Sequence, residues 1–292
     1  MRNTRGRKFT SLLLLAPALA FVAAFTAYPF LNMLWMSLHK WSIIEPKVFV
    51  GFKNYARIAD DSQFWITLGF TLKYTVLITP ILMVLGYLIA LLTAANTPLK
   101  RFTRAVVFIP VVIGLGVSSL LWYWLFSFDY GLVNQVLLDT HIISNPVIWL
   151  GVSANLAMWA VIVSIVWKVV GFGMLLFVAA IQSIPRDIND ASMVDGARYW
   201  TRVQKITLPM TLKTVLLVTL VSIIGSMLAF DQFYIMTAGQ PHNETATSVF
   251  WVYLNSFPYL KLGYGSALSL ILAVIVLACT VVQMMLTKRS YG

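Results

Sequence analysis

Six long apolar runs, each bounded by charged or turn residues, constrain this chain more than any other feature. They cover about residues 11–38, 68–95, 105–128, 156–182, 214–236 and 264–286. A helix needs roughly 20 mostly apolar residues to cross a bilayer, so each run is long enough for one span. Only 11% of the 292 residues are charged, whereas soluble domains have about 25%. The sequence therefore predicts an all-α, polytopic membrane protein with six transmembrane helices.

The segments outside these runs are too short for a second domain. We predict a cytoplasmic N-terminal segment over 1–10, one transmembrane domain over 11–287 with a cytoplasmic loop over 183–213, and a cytoplasmic C-terminus over 288–292. The first run follows basic residues, as a signal peptide does, but it extends far beyond the 7–15 apolar residues of a signal core. We therefore interpret it as the first span. The single cysteine, Cys279, excludes an internal disulfide and a cysteine metal cluster.

The distribution of basic residues predicts the orientation in the membrane. With the N-terminus inside, six basic residues lie on the outer side, five in the longer external segments and Lys73 near the outer end of the second run. The external segments also hold six acidic residues, and the short cytoplasmic segments hold 14 of the 21 Lys and Arg. Those 14 are Arg2, Arg5, Arg7, Lys8, Lys100, Arg101, Arg104, Arg186, Arg198, Arg202, Lys205, Lys213, Lys288 and Arg289. Basic residues accumulate in cytoplasmic loops. We therefore expect both termini to lie in the cytoplasm.

The residue types that carry catalysis or bind metals are sparse. His39, His141 and His242 are the three histidines, and each is about a hundred residues from the next, which does not match a metal-binding spacing. No lysine follows a glycine, so the phosphate-binding sequence GxxxxGK[ST] is absent. We predict no catalytic, cofactor or metal site in this chain. If ATP drives it, another chain must bind the ATP.

The 183–213 segment contains the most informative local pattern. It reads Asp190-Ala191-Ser192, two residues, Asp195-Gly196-Ala197, eight residues, and Ile206-Thr207-Leu208-Pro209. Proline at 185 favours the start of a helix and Asp-Gly its end, so the pattern predicts helix, turn and helix, with Leu208-Pro209 ending the second helix. The same composition also fits an amphipathic connector whose basic residues contact anionic lipid.

This order of residues resembles the EAA motif of permease subunits in binding-protein-dependent ABC importers. The spacing is complete, although Asp190 replaces the motif's glutamate and Ser192 its second alanine. Other stretches are similar to the carbohydrate branch of that family, which includes maltose and glycerol-3-phosphate permeases. They are Phe49-Val50-Gly51 with Asn54-Tyr55 and Phe64-Trp65, then Gly131-Leu132-Val133-Asn134, and Gly263-Tyr264-Gly265-Ser266-Ala267-Leu268-Ser269. The last two of these stretches are typical of the first of the family's two permease subunits.

The resemblance implies a type I ABC importer permease fold in the bacterial plasma (inner) membrane, importing a carbohydrate or a related polyol or sugar derivative. It also implies a second, different permease, two copies of an ATPase subunit that bind ATP and Mg, and an extracytoplasmic substrate-binding protein. The motif residues would couple the ATPase to the spans as rigid levers. They are Asp190, Ala191, Ser192, Asp195, Gly196, Ala197, Ile206, Leu208 and Pro209.

Two ionisable residues lie in or near the apolar runs. Lys168 is near the middle of the fourth run and Asp231 near the outer end of the fifth. A charge at the centre of a span costs roughly 2.5–3.5 kcal/mol on insertion scales, so Lys168 should face protein or a water-filled cavity. With Asn134, Gln232 and Tyr264, these residues are candidates for the substrate path. The alternative for Lys168 is a structural lysine bound by carbonyls or a neighbouring span.

Other functional classes remain as alternatives. An ion-coupled secondary transporter or an integral membrane enzyme needs ionisable groups within the membrane, and only Lys168 and Asp231 approach that requirement. A receptor-like or scaffold membrane protein has no sequence feature in its favour. A co-purifying ATPase would separate the importer from each of these alternatives.

Overall fold

A computed structural model describes residues 14–42, 44 and 46–289, and helices form most of this part of the chain. Two short strands, β1 (His39–Lys40) and β2 (Val48–Phe49), pair antiparallel with His39 opposite Phe49. The helices are α1 (Leu14–Ser37), α2 (Lys53–Ala59), α3 (Ser62–Thr93), α4 (Pro98–Val112), α5 (Leu115–Leu125), α6 (Leu132–Asp139), α7 (Ala154–Gln182), α8 (Arg186–Val194), α9 (Tyr199–Met227), α10 (Asp231–Met236), α11 (Ser248–Ser256) and α12 (Leu262–Arg289).

Length and hydropathy identify the helices that can cross a membrane. Among the described residues, α1, α3, α7, α9 and α12 are each long and apolar enough, and α4 with α5 forms a sixth candidate if the bent pair is one span. The all-α polytopic fold is therefore confirmed. The predicted division into 1–10, 11–287 and 288–292 stays a prediction, and its first segment lies outside the described residues.

The third apolar run is broken, whereas the sequence indicated one continuous span over 105–128. Helix α4 ends at Val112, α5 begins at Leu115, and their axes differ by 97°. Pro110 removes a backbone donor near the end of α4. Ile113 and Gly114 then take extended conformations, with ψ of 136° and 144°. At its other end α4 follows Thr97, whose hydroxyl accepts a hydrogen bond from the backbone N–H of Lys100 at 3.4 Å.

The fifth span begins and ends earlier than predicted. Helix α9 starts at Tyr199 and continues through Leu208 and Pro209 to Met227, so the prediction that Leu208-Pro209 ends a helix is wrong. The reason is a π-helical turn over Val203–Thr207, in which Leu208 N–H donates to the carbonyl of Val203. The wider turn displaces the carbonyls that the proline ring would otherwise meet.

The chain forms two compact units, which we describe separately. The terminal unit comprises the described residues up to Ser62 and Trp251–Val274, and the central unit comprises Gln63–Phe250 and the described residues from Ile275 onward. In the central unit, Phe233 is fully buried. Its ring meets those of Phe70 and Tyr74 edge-to-face, with centroids 5.3 and 5.0 Å apart, a favourable arrangement for aromatic pairs.

A close contact between α4 and α7 also organises the central unit. A Cβ atom added to Gly171 of α7 would collide with the carbonyl oxygen of Val107 and would lie 3.0 Å from the Cα of Phe108. The absence of a side chain at Gly171 therefore allows the two helix backbones to approach this closely, as small residues do between membrane helices. We call this contact between α4 and α7, which also includes Lys168 of α7, the α4–α7 seam.

Candidate functional site

The central unit contains a cavity of about 230 Å³ among α3, α5, α7, α9 and α10. Its walls are mostly apolar. Five of its described lining side chains carry polar groups: Tyr74, Ser222, Ser226, Asp231 and Gln232. Asp231, the first residue of α10, is half-buried, and Gln232 is buried. Apolar walls with a few converging polar groups are typical of small-molecule sites.

Lys168 is a member of the α4–α7 seam and does not line this cavity. Its ammonium donates to the carbonyl oxygens of Pro110 at 3.4 Å and Val111 at 3.2 Å, and the side chain is only 6% exposed. The last carbonyls of a helix lack intrahelical partners and carry the negative end of its dipole. Lys168 therefore caps α4 at the break, which is the structural alternative that the sequence left open. Its place in the substrate path stays a prediction.

Asn134 and Tyr264, the other two candidates, make specific contacts away from the cavity. The Asn134 side-chain oxygen accepts from the backbone N–H of Val147 at 3.2 Å and from the Trp149 indole at 2.9 Å, so it fastens the segment that follows α6. Tyr264 belongs to the terminal unit, where its hydroxyl donates to the Asp61 carboxylate at 2.6 Å. Of the five substrate-path candidates, the structure therefore brings Asp231 and Gln232 together.

The helix–turn–helix predicted for the 183–213 segment is confirmed. Helix α8 ends at Val194, Gly196 has a φ of +72°, and α9 begins at Tyr199. Gly196 N–H donates to the Met193 carbonyl and Ala197 N–H to the Ser192 carbonyl, both at 3.0 Å. These two bonds form a Schellman motif, which requires the left-handed conformation that glycine adopts at little cost.

The exposure of the motif residues separates an outward face from an inward one. Asp190, Ala191, Asp195, Gly196, Leu208 and Pro209 are exposed, and Ala197 and Ile206 are half-buried. Ser192 is buried instead, and its hydroxyl donates to the Asn189 carbonyl at 2.6 Å. Ser192 therefore faces its own chain and is not available for contact with a partner across the exposed face.

Sequence reasoning missed two apolar residues on that outward face. Met193 is 53% exposed and Val194 is 88% exposed. Both share one side of α8 with Asp190, because residues three and four apart on a helix are neighbours. The signal was present in the sequence as apolar residues within a charged segment. A large apolar side chain left in water suggests a partner surface.

Known proteins similar to this chain are membrane transport subunits. Residues 82–290 match the model of the family described as "Binding-protein-dependent transport system inner membrane component". The sulfoquinovosyl glycerol transport system permease of Agrobacterium fabrum is 31% identical, over 98% of this chain and 92% of that protein. The trehalose/maltose transport system permease of Thermococcus litoralis is 33% identical, over 93% and 91%. The lactose transport system permease of Rhizobium radiobacter is 32% identical, over 93% and 91%.

A solved structure shares the fold. The crystal structure of a bacterial ABC transporter involved in the import of the acidic polysaccharide alginate superimposes with a TM-score of 0.86 at 21% identity, covering 97% of this chain and 96% of that one. The family match and these relatives, together with the long apolar helices, define a multi-span transport subunit. The chain belongs to the binding-protein-dependent transport system inner membrane component family. The predictions of an ABC importer permease fold, of the inner membrane and of a transport protein in place of an enzyme are confirmed.

Proposed function

We propose that this chain is one permease subunit of an ATP-driven importer for a carbohydrate or a related sugar or polyol derivative. The observation that carries the proposal is the similarity of this chain, over nearly its whole length, to permeases named for the transport of sulfoquinovosyl glycerol, of trehalose and maltose, and of lactose. This similarity favours an importer over an ion-coupled carrier or a membrane enzyme.

The cavity beside α10 is the proposed section of the substrate path in this subunit. Gln232 presents an amide and Asp231 a carboxylate, and both groups can hydrogen-bond sugar hydroxyls. The apolar walls suit the non-polar faces of a sugar ring. Lys168 would contribute indirectly, by holding α4 against α7 at the wall of the path.

The 183–213 segment is the proposed docking element for the ATPase. Asp190 offers a carboxylate, Met193 and Val194 offer exposed apolar area, and the Gly196 turn fixes the angle between α8 and α9. A second permease, two ATPase subunits binding ATP and Mg, and an external substrate-binding protein would complete the transporter. Closure of the ATPases would then move α8 and α9 as levers.

The docking assignment is tested by retention of the ATPase on the purified complex, together with uptake of radiolabelled sugars. We expect Asp190→Lys and Gly196→Asp to leave membrane insertion intact while releasing the ATPase or abolishing uptake. Gly196→Asn is the matched control, because asparagine has nearly the shape of aspartate without its charge and also tolerates the left-handed conformation, so it should retain more ATPase than Gly196→Asp. Normal retention and normal uptake in both variants would exclude this segment as the docking element.

The proposed orientation places both termini and the 183–213 segment in the cytoplasm. In a Cys279→Ser background, a cysteine introduced at Lys53 should react with an impermeant maleimide added to whole cells, and one introduced at Arg198 should not. Labelling of the Arg198 position from outside would contradict the proposed orientation.

A further inference from the structure

The terminal unit contains a small basic cavity where α1 ends and α12 begins. Its volume is about 230 Å³, and three of its lining side chains are cationic: Lys40, Arg57 and Lys261. None of its described lining residues is acidic. A concave surface lined by charges of one sign concentrates its field and attracts ions of the opposite sign. Arg57 and Lys261 also line an adjoining cavity that contains Asp60 and Asp61, so an anionic group fits on the side of these two cations that faces away from the carboxylates.

Aromatic rings support two of these cations. The Arg57 guanidinium lies over the Tyr264 ring, 4.6 Å from its centroid, and the Lys261 ammonium lies 5.5 Å from the centroid of Tyr259. Tyr264 is itself buried and held by its hydrogen bond to Asp61. A guanidinium stacked on a ring keeps its in-plane N–H donors available. Those donors can bind a carboxylate, sulfonate or phosphate in a bidentate manner.

Hydrogen bonds fix the walls of the basic cavity. The Asn54 amide donates to the carbonyl oxygens of Ser37 at 2.7 Å and His39 at 3.0 Å, so α2 is tied to the end of α1. Gly263 N–H donates to the Trp41 carbonyl at 3.1 Å, which ties the start of α12 to the same segment. Walls that are ordered before binding lower the entropy lost by the complex.

A second cavity of about 350 Å³ shares Arg57, Tyr259 and Lys261 with the first. It adds the carboxylates of Asp60 and Asp61, the indole of Trp251 and the amide of Asn255. Asn255 is 2% exposed, and its amide nitrogen donates to the Trp251 carbonyl at 2.9 Å. Carboxylates and amides hydrogen-bond hydroxyl groups, and half-exposed aromatic rings offer faces for a sugar ring. The combined site can therefore accept a polyhydroxylated ring that carries an acid group.

We propose that these two adjoining cavities form an outer subsite for an anionic carbohydrate, whose acid group lies between Arg57 and Lys261 and whose ring lies against Tyr259 and Trp251. This inference rests on the proposed carbohydrate import and on the proposed orientation, which places the ends of α1 and α12 that meet here on the external face. It narrows the substrate to sugars that carry a carboxylate, sulfonate or phosphate.

Binding of glucuronate, with glucose as its neutral counterpart, tests the subsite. The assembled transporter is placed in nanodiscs of zwitterionic phosphatidylcholine, so that no anionic lipid competes, and binding is measured by equilibrium dialysis of the radiolabelled sugar. We expect glucuronate to bind at least tenfold more tightly than glucose. Loss of a charge-assisted hydrogen bond in Arg57→Gln should weaken glucuronate binding by about tenfold.

Two further variants keep this test decisive. Lys261→Gln changes an exposed cation of the cavity and should also weaken glucuronate binding. This variant tests the subsite even if Arg57→Gln does not fold. Lys53→Gln is the matched control, because Lys53 is an exposed cation of α2 that lines neither cavity, and it should bind glucuronate within twofold of the unchanged protein.

Three results would overturn the subsite. Equal binding of glucuronate and glucose excludes the anion preference, and unchanged glucuronate binding in both Arg57→Gln and Lys261→Gln excludes these residues. If glucuronate does not bind but the same variants reduce stimulation of the ATPase by the external binding protein, the cavity receives an acidic side chain of that protein instead. Sugar uptake in cells that depends on this chain is measured separately. If cells take up a sugar through this chain but the transporter does not bind glucuronate, only the subsite is excluded. If cells take up no sugar through this chain, the proposed carbohydrate import is excluded.

Discussion

The α4–α7 seam and the 183–213 segment belong to the same unit and place their side chains in opposite environments. In the seam a charged group lies in an apolar environment, and its own chain supplies the partners, since Lys168 binds the carbonyls of Pro110 and Val111. In the segment apolar groups lie in a charged environment, and Val194 remains 88% exposed. The first arrangement is complete within one chain. The second leaves an apolar surface that a partner could cover.

This difference predicts that variants of the two regions will have different effects. Changes in the seam should reduce the stability of the isolated subunit, whereas changes in the 183–213 segment should leave stability intact and affect only the assembled transporter. The measurements that separate the two are thermal unfolding of the purified subunit and transport by the complete system.

The largest effect on stability is expected from Gly171→Ala. The added methyl group would meet the backbone at Val107 and Phe108, and the helices would have to separate. Overpacking of this kind typically costs about 1–3 kcal/mol. The melting temperature in detergent should fall clearly below that of Gly69→Ala, the matched control, because a Cβ at Gly69 has no neighbour within 4 Å. Equal melting temperatures for the two variants would contradict the close contact.

A smaller loss of stability is expected from Lys168→Met. The substitution leaves the last carbonyls of α4 without this donor, and an unsatisfied buried group lowers the free energy of unfolding by about 1–3 kcal/mol. Removal of the buried charge offsets part of that loss. Lys168→Arg keeps a donor and should melt closer to the unchanged protein. If Lys168→Met melted normally but raised the KM for sugar uptake, Lys168 would belong to the substrate path and not to the seam.

In the 183–213 segment, Val194→Asp should reduce coupling without reducing stability. A carboxylate would replace the exposed apolar surface and would need desolvation at a docked interface, so we expect at least a tenfold fall in ATPase retention, equivalent to about 1.4 kcal/mol. The control is Ile142→Asp, which changes an apolar residue that is 70% exposed outside this segment and should leave ATPase retention unchanged. A lower melting temperature for Val194→Asp would show that the residue stabilises its own chain.

The smallest effect is expected at the cavity beside α10, where Asp231 is half-buried, between the buried Lys168 and the exposed Val194. Asp231→Asn keeps the size of the side chain and an oxygen that accepts hydrogen bonds, so uptake of a sugar should change by only a few-fold, mainly through KM. Initial uptake rates over a range of sugar concentrations measure this. Unchanged kinetics would remove Asp231 from the path.

Local signals in the sequence were sufficient for several features of this protein. Five spans follow from the length and composition of the apolar runs, because each of these runs overlaps one continuous helix that is long and apolar enough to cross the bilayer. The turn between α8 and α9 follows from Gly196, since the residue that ends a helix in a Schellman motif needs a left-handed conformation. The family could be recognised because the spacing from Asp190 to Pro209 is contained in one continuous segment.

Contacts between distant residues decided the rest. Pro110 and Gly114 were visible in the sequence, but neighbouring helices often compensate for such residues in membrane spans, so only packing could determine a 97° break. Pro209 lies within a helix because the preceding π-turn accommodates it. Lys168 and the carbonyls that it binds are 57 and 58 residues apart. Whether a buried charge lines a path or caps a helix depends on which groups tertiary folding brings within hydrogen-bond distance, and no local pattern contains that information.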